Sequence, residues 1–173
     1  DIVHVFTDYN IANYCAIYTV FRNGILYILA EEHLKDKGTR FMAEAVRARF
    51  SSNYKKISGD STGNNARNVA ASRTNYEIFR SFGIETLQTR NPPVLQRIIT
   101  CESRLYDRKI IVDPSCKTLI KDLELVSWKD GGKAEIDKSN IDLSHASDAF
   151  GYAVYHYLPL RPPQQQSREI HLD

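Results

Sequence analysis

The stretch Ile57-Ser58-Gly59-Asp60-Ser61-Thr62-Gly63 constrains this chain more than any other. The run that feeds it, Lys56 to Gly59, is too short and too abruptly ended for a helix, so it reads as a buried strand that delivers Asp60 at its carboxyl end. Gly59 and Gly63 permit backbone conformations and close approaches that a side chain would block. Two other segments present an aspartate in a comparable way. Val3-His4-Val5-Phe6-Thr7-Asp8 is a strand ending on an acid, and Ser144-His145-Ala146-Ser147-Asp148-Ala149 opens a helix. The three are expected to converge, because two of them follow apolar strands that should lie side by side, and ligands gather at the carboxyl ends of such strands.

The rest of the chain supplies an α/β alternation around these points. Ile2–Phe6, Tyr14–Phe21 and Ile25–Ala30 read as strands, the last two joined through Asn23-Gly24, a pair suited to a tight hairpin turn. Thr39 can cap a helix whose Phe41, Met42, Ala45, Val46 and Phe50 fall at helical spacing. A Gly/Asn/Ser-rich loop runs from Gly59 through Ser72, and a helix from Asn75 to Phe82 ends at Gly83. Glu85–Thr89 fits a short strand, Pro93–Tyr106 a helix, Lys109–Asp113 a strand and Pro114–Leu125 a helix. Val126–Asp137 fits a hairpin about Asp130-Gly131-Gly132, and Ser144–Leu158 is the last helix. The expectation is one domain over residues 1–158 and a polar, proline-marked tail over residues 159–173.

Taken singly, each aspartate also fits a structural role: Asp8 in a turn, Asp60 in an Asx turn with Ser61 and Thr62, Asp148 as a first-turn acid favoured by the helix dipole. Together they carry more. Three converging carboxylates repel one another unless a cation holds them. Hard divalent ions prefer carboxylate oxygen, and two ions about 4 Å apart can stabilise both the attacking and the leaving oxygen of a phosphodiester. His145 and Tyr152 stand three before and four after Asp148 on the same helical face.

An ordered set of short motifs sharpens this reading. Thr7-Asp8-Tyr9-Asn10, Gly59-Asp60-Ser61-Thr62-Gly63-Asn64-Asn65, Asn91-Pro92-Pro93-Val94, Val112-Asp113-Pro114-Ser115-Cys116-Lys117, Asp137-Lys138 and Ser144 through Tyr152 together resemble the C-terminal nuclease domain of the large terminase subunit of tailed bacteriophages. The resemblance runs in order from Asp8 to about Pro159. It implies an RNase H-like fold, a central mixed sheet with helices on both faces, and endonucleolytic cleavage of concatemeric phage DNA. It also implies two divalent ions, Mg²⁺ or Mn²⁺, on catalytic acids matching Asp8, Asp60 and Asp148, with Asp8 bridging. His145 then serves as a helix-opening cap, a neighbour of the ligands or a direct ligand, and Asn10 as a turn residue or a partner of coordinated water. Glu31 and Glu32 read as a solvated strand edge, with reach to such a water as the alternative. The implied partners are double-stranded DNA, an N-terminal packaging ATPase of the same subunit, the portal protein and the small terminase subunit, at the procapsid in the host cytoplasm. No G-x-x-x-x-G-K-[ST] phosphate loop occurs, so the sequence reads as the nuclease part of a longer protein.

Composition narrows the partners only weakly. A net charge of +2, from 23 basic and 21 acidic residues, means that any polyanion track must come from local clustering. Arg67, Arg73, Arg90, Lys129, Lys133 and Lys138 are the candidates, and with no aromatic-basic interleaving they are expected to contact backbone phosphate rather than bases. Cys15, Cys101 and Cys116 lack any paired spacing, which argues against a zinc knuckle or a disulfide framework. No apolar run approaches the roughly 18 residues of a membrane span, and the expectation is a soluble, intracellular protein. The rivals are another RNase H-like nuclease, of the junction-resolvase or transposase type, and a non-catalytic DNA-binding or assembly module. An actin-like phosphotransfer domain would need a glycine-rich turn after its first acid, where this chain has Tyr9-Asn10-Ile11.

Overall fold

A computed structural model describes residues 1–10, 12–61, 67–68, 73–129, 135–137, 139–140 and 142–160. β1 (Val3–Asp8), β2 (Asn13–Arg22) and β3 (Ile25–Lys35) form an antiparallel run. Asn23 and Gly24 both take positive φ, 51° and 75°, as a two-residue turn between twisted strands requires. β3 continues past the expected end at Ala30, because Glu31 to Lys35 stay paired with Ile17 to Asn13.

The chain then forms α1 (Thr39–Ala48), β4 (Lys55–Gly59), a small ribbon of β5 (Arg67–Asn68) and β6 (Arg73–Thr74), α2 (Asn75–Ser81) and β7 (Glu85–Thr86). After these come α3 (Val94–Tyr106), β8 (Ile110–Val112), α4 (Lys117–Leu125) and α5 (His145–Tyr157). The six-stranded sheet has the order β7-β4-β1-β2-β3-β8, with β4 parallel to β1, β7 parallel to β4 and β8 parallel to β3.

Helices cover both faces, and strand alternation assigns each residue to one of them. Val3, Val5, Tyr14, Ala16 and Ile57 pack with Met42 and Val46 of α1 and Phe79 of α2. Phe6, Cys15, Ile17, Leu26 and Ile28 pack with Leu119 of α4 and Ala149, Phe150 and Val154 of α5. The central strands are therefore buried on both sides, as sheets sandwiched between helices are. Cys15 and Cys116 are buried in the second cluster, where desolvation raises both thiol pKa values, that of Cys116 to about 11.

Local details depart from the sequence expectations where a distant partner intervenes. α1 takes Gly38 as its N-cap residue, and the Thr39 hydroxyl instead donates to Asn75 Oδ1 at 2.6 Å. α2 has a full capping box: Thr74 Oγ1 accepts from Glu77 N and Glu77 Oε2 accepts from Thr74 N. α4 starts at Lys117 rather than Pro114, because Asp113 Oδ1 accepts from Ser115 N at 2.8 Å and closes a turn first. The loop expected between Gly59 and Ser72 contains β5. Of the expected hairpin, the pairing of Trp128 with Ile136 is present, flanked by Lys129 N to Glu135 O and Asp137 N to Ser127 O. Its turn, Asp130-Gly131-Gly132, and residues 161–173 of the expected tail lie outside the described residues. The junction with that tail is held by Arg104, which donates to the carbonyls of Leu158, the last residue of the expected domain, and Pro159, the first of the tail, at 2.8 and 2.9 Å. Among the described residues, no helix is long and apolar enough to cross a membrane.

Candidate active site

Asp8 and Asp60 end neighbouring parallel strands. Asp8 is the last residue of β1, Asp60 follows the last residue of β4, and Asp60 N donates to Thr7 O at 3.2 Å. Side chains alternate, so Phe6 and Asp8 share the α5 face, as do Ser58, whose hydroxyl meets His4, and Asp60. Gly59 is what lets β4 approach so closely. A Cβ there would stand 2.1 Å from Thr7 O, a contact no side chain can make.

α5 lies across these ends and answers each acid with a residue of one stripe. His145 Nδ1 is 2.7 Å from Asp8 Oδ2, with both side chains largely shielded. Tyr152 OH is 3.4 Å from Asp60 Oδ2. Asp148, between them on the same stripe, pairs with Arg97 of α3. Burial is the main cause that raises the Tyr152 phenol pKa, with Asp60 and Asp148 adding to it and Arg97 opposing. The phenol therefore stays a donor.

The start of α5 is held from another helix. Ala146 N and Ser147 N donate to Asp122 Oδ2 of α4 at 3.0 and 3.1 Å, and Ser144 enters the helix with φ 76° and no side-chain cap. Burial raises the Asp122 pKa, while these N–H donors pull it back. His145 is thus a partner of Asp8, and capping falls to Asp122. Glu31 performs the same service for α4, accepting from Thr118 N and Leu119 N at 2.8 Å each, and Glu32 pairs with Arg49 at 3.5 Å. The reading of Glu31 and Glu32 as a solvated edge is corrected by these contacts. Asn10 Oδ1 accepts from Ala12 N at 3.1 Å, a turn contact.

Sequence reasoning leaves three participants without a role. Asn91 bridges the Asp60 segment, its Nδ2 donating to Asp60 Oδ1 at 3.1 Å and its Oδ1 accepting from Ser61 N at 2.8 Å. Asp122 carries no signal beyond its place in a helix. Arg97 is buried at 6% exposure, and its one visible sign is a basic residue on the face of α3 that also buries Thr100.

Of the basic candidates, Arg90 is exposed and lines a polar hollow with Ser61, Gln88, Thr89 and Asn91, next to Asp60. Arg73 and Lys129 are exposed, on β6 and in the paired segment after α4. Lys133, Lys138 and the side chain of Arg67 lie outside the described residues.

The donor set suits a hard divalent ion in kind, being three carboxylates with an imidazole beside them. Its arrangement is not closed around one: among the described residues, no three His, Cys, Asp or Glu side chains stand together as an ion's cage. Each aspartate is instead engaged by a protein donor, so an ion there would have to share or take over carboxylate oxygens already in contact with His145, Asn91 or Arg97.

No family model matches this chain, and no curated protein matches it in sequence. Solved structures do. The large terminase of a thermophilic bacteriophage superposes over 91% of this chain with TM-score 0.71 at 20% identity, and this chain spans 40% of that protein's length. The nuclease domain of the P22 large terminase matches over 90% of this chain and 79% of its own, with TM-score 0.68 at 13% identity. The nuclease domain of the bacteriophage SPP1 large terminase, solved with bound Mn, matches over 90% of this chain and 86% of its own, with TM-score 0.60 at 15% identity. At these identities the likeness is one of fold, the RNase H-like α/β architecture of terminase nuclease domains.

Proposed function

We propose, from a fold shared with the nuclease domains of phage large terminases, that this chain is a divalent-metal-dependent endonuclease domain cutting double-stranded DNA during genome packaging. The observation that carries the reading is the meeting of two parallel strand ends, each bearing an aspartate, with one helical stripe bearing a third. The Mn bound to the SPP1 domain supports the choice of ion class.

Asp8, Asp60 and Asp148 would hold Mg²⁺ or Mn²⁺, two ions in this reading, with Asp8 shared between them. Bound ions supply Lewis acidity to the phosphodiester and make a coordinated water more acidic. The chain's own residues set the stage. His145 Nδ1 orients the Asp8 carboxylate, and Asn91 and Tyr152 orient that of Asp60 from opposite oxygens. Arg90, which lines the hollow beside Ser61 and Asn91, would meet a backbone phosphate in this reading. The sequence has no aromatic-basic interleaving of the kind that reads bases, so cleavage is expected to show little sequence preference. In a packaging motor, the substrate is concatemeric DNA in the host cytoplasm. The partners are then an ATPase domain of the same subunit, the portal and the small terminase subunit.

Supercoiled plasmid incubated with the protein in Mn²⁺, Mg²⁺ or EDTA tests this directly. Nicking and linearisation in metal, none in EDTA, and loss of both in folded Asp8→Asn, Asp60→Asn and Asp148→Asn are the expected outcomes. Full activity in any one variant removes that residue from the site. A plasmid that is bound but never cut would favour the non-catalytic module, and preference for branched over linear duplex the resolvase reading.

A further inference from the structure

We propose that Arg97 is the counter-cation of the ion-free site: its guanidinium occupies Asp148 and must give the carboxylate up when a divalent ion binds there. The inference rests on the reading of Asp148 as a metal ligand. The contact is built in rather than incidental. Arg97 is 6% and Asp148 8% exposed, and the two side chains are paired. Gly151, one turn along α5, leaves the channel through which Arg97 passes. A Cβ there would stand 2.7 Å from Arg97 Cδ and 2.9 Å from Cγ. The guanidinium also lies 4.7 Å from the centre of the Tyr152 ring, the phenol that reaches Asp60. One cation therefore stands behind two of the three acids.

A guanidinium keeps its charge in a protein, so Arg97 cannot free Asp148 by losing a proton. Adding a divalent ion to the same carboxylate would bring like charges together in a shielded site, where their repulsion is strong. The two are thus competitors. The fold provides a place for the displaced group. A cavity of about 180 Å³ between α3, α4 and α5 is lined by Arg97 and Asp148 and also by two further carboxylates, Glu102 and Asp122. Asp122 uses Oδ2 to hold α5, while its buried Oδ1 has no hydrogen-bond donor among the described residues. Arg97 exchanging Asp148 for Asp122 Oδ1 would satisfy both.

Calorimetric titration with Mn²⁺, alongside melting in EDTA, tests the exchange on the whole chain. Arg97→Met is expected to bind the Asp148-dependent ion about tenfold more tightly, within the usual range for coupled sites, and to melt lower without metal. Asp148→Asn should lose that ion, and Arg97→Met/Asp148→Asn should behave like Asp148→Asn. Where Arg97→Met does not fold, Arg97→Lys keeps the charge but loses the planar fork and the ring contact, and should show a smaller gain of the same sign. Unchanged or weaker Mn²⁺ binding in the Arg97 variants, with Asp148→Asn still losing an ion, overturns the exchange and makes Arg97 an orienting residue. Unaltered Mn²⁺ binding in Asp148→Asn itself would sink the ligand reading, and this inference with it.

Discussion

One residue of each strand that delivers an acid, Gly59 of β4 and His4 of β1, shows how tightly those strands are held. Gly59 faces the Thr7 carbonyl with no room for a Cβ, and the atom in the way is backbone, which cannot rotate aside. Gly59→Ala should therefore part β4 from β1, cost about 1–3 kcal/mol in urea unfolding as overpacking does, and misplace Asp60. Wild-type stability in that variant would show that the strands can separate without strain. His4, in the same strand as Asp8, is locked between Tyr157 OH and Ser58 Oγ, each at 2.8 Å. Burial, with help from His156 and Lys56, lowers its pKa to about 3. The folded protein thus keeps His4 neutral, whereas the unfolded chain takes up the proton below about pH 6.5. Stability is lost as pH falls from about 6.5 towards 3, at up to about 1.4 kcal/mol per pH unit for this proton. Urea melts of wild type and His4→Gln across that window should differ in slope by this amount. Parallel slopes would assign the acid sensitivity elsewhere.

Elements are legible from the sequence where their signals are local, and the site where it depends on strand ends. The strand that ends on Asp8, the Asn-Gly hairpin, the strand that delivers Asp60 after Gly59 and the helical stripe of His145, Asp148 and Tyr152 are all present in the fold. What stays hidden are partnerships across the chain. Glu31 holds the start of α4 and Asp122 the start of α5, and no periodicity links a strand residue to a helix that begins far along the sequence. These caps yield a paired prediction. Asp122→Ala removes the acceptor of two N–H groups beside His145 and Asp148, and should lower stability by about 1–3 kcal/mol and abolish cleavage. Glu31→Ala should lower stability comparably while cleavage by the folded protein persists. If both variants lost cleavage in equal measure, the caps would be acting through general stability rather than through the position of α5.

For the molecule as a whole, ion binding and stability are linked. Metal that binds only the folded state should raise the melting temperature, by about 2.7 kcal/mol of stability at a hundredfold excess over its dissociation constant. The Mn²⁺ effect should shrink in Asp8→Asn, and an equal shift there would mean that the ion sits elsewhere. DNA binding tests the outer surface in the same global way. Lys129→Ala, measured in Ca²⁺, should lower the magnitude of the log-affinity against log-salt slope by about 0.9 on any duplex, if Lys129 meets one phosphate. An unchanged slope would shift the track towards Arg73 and Arg90.

The order of elements along the chain has a consequence for synthesis. β1 to β4 leave the ribosome before α5, yet Phe6, Ile17, Leu26 and Ile28 on one side of them await Phe150 and Val154 of α5, against which α3 and α4 also pack. The same late segment carries Asp148 and the partners of Asp8 and Asp60. A nascent or prematurely terminated chain that lacks α5 thus has an apolar surface open to chaperones and proteases. It also lacks Asp148 and the partners of Asp8 and Asp60, so the arrangement of the three acids is completed only when α5 docks.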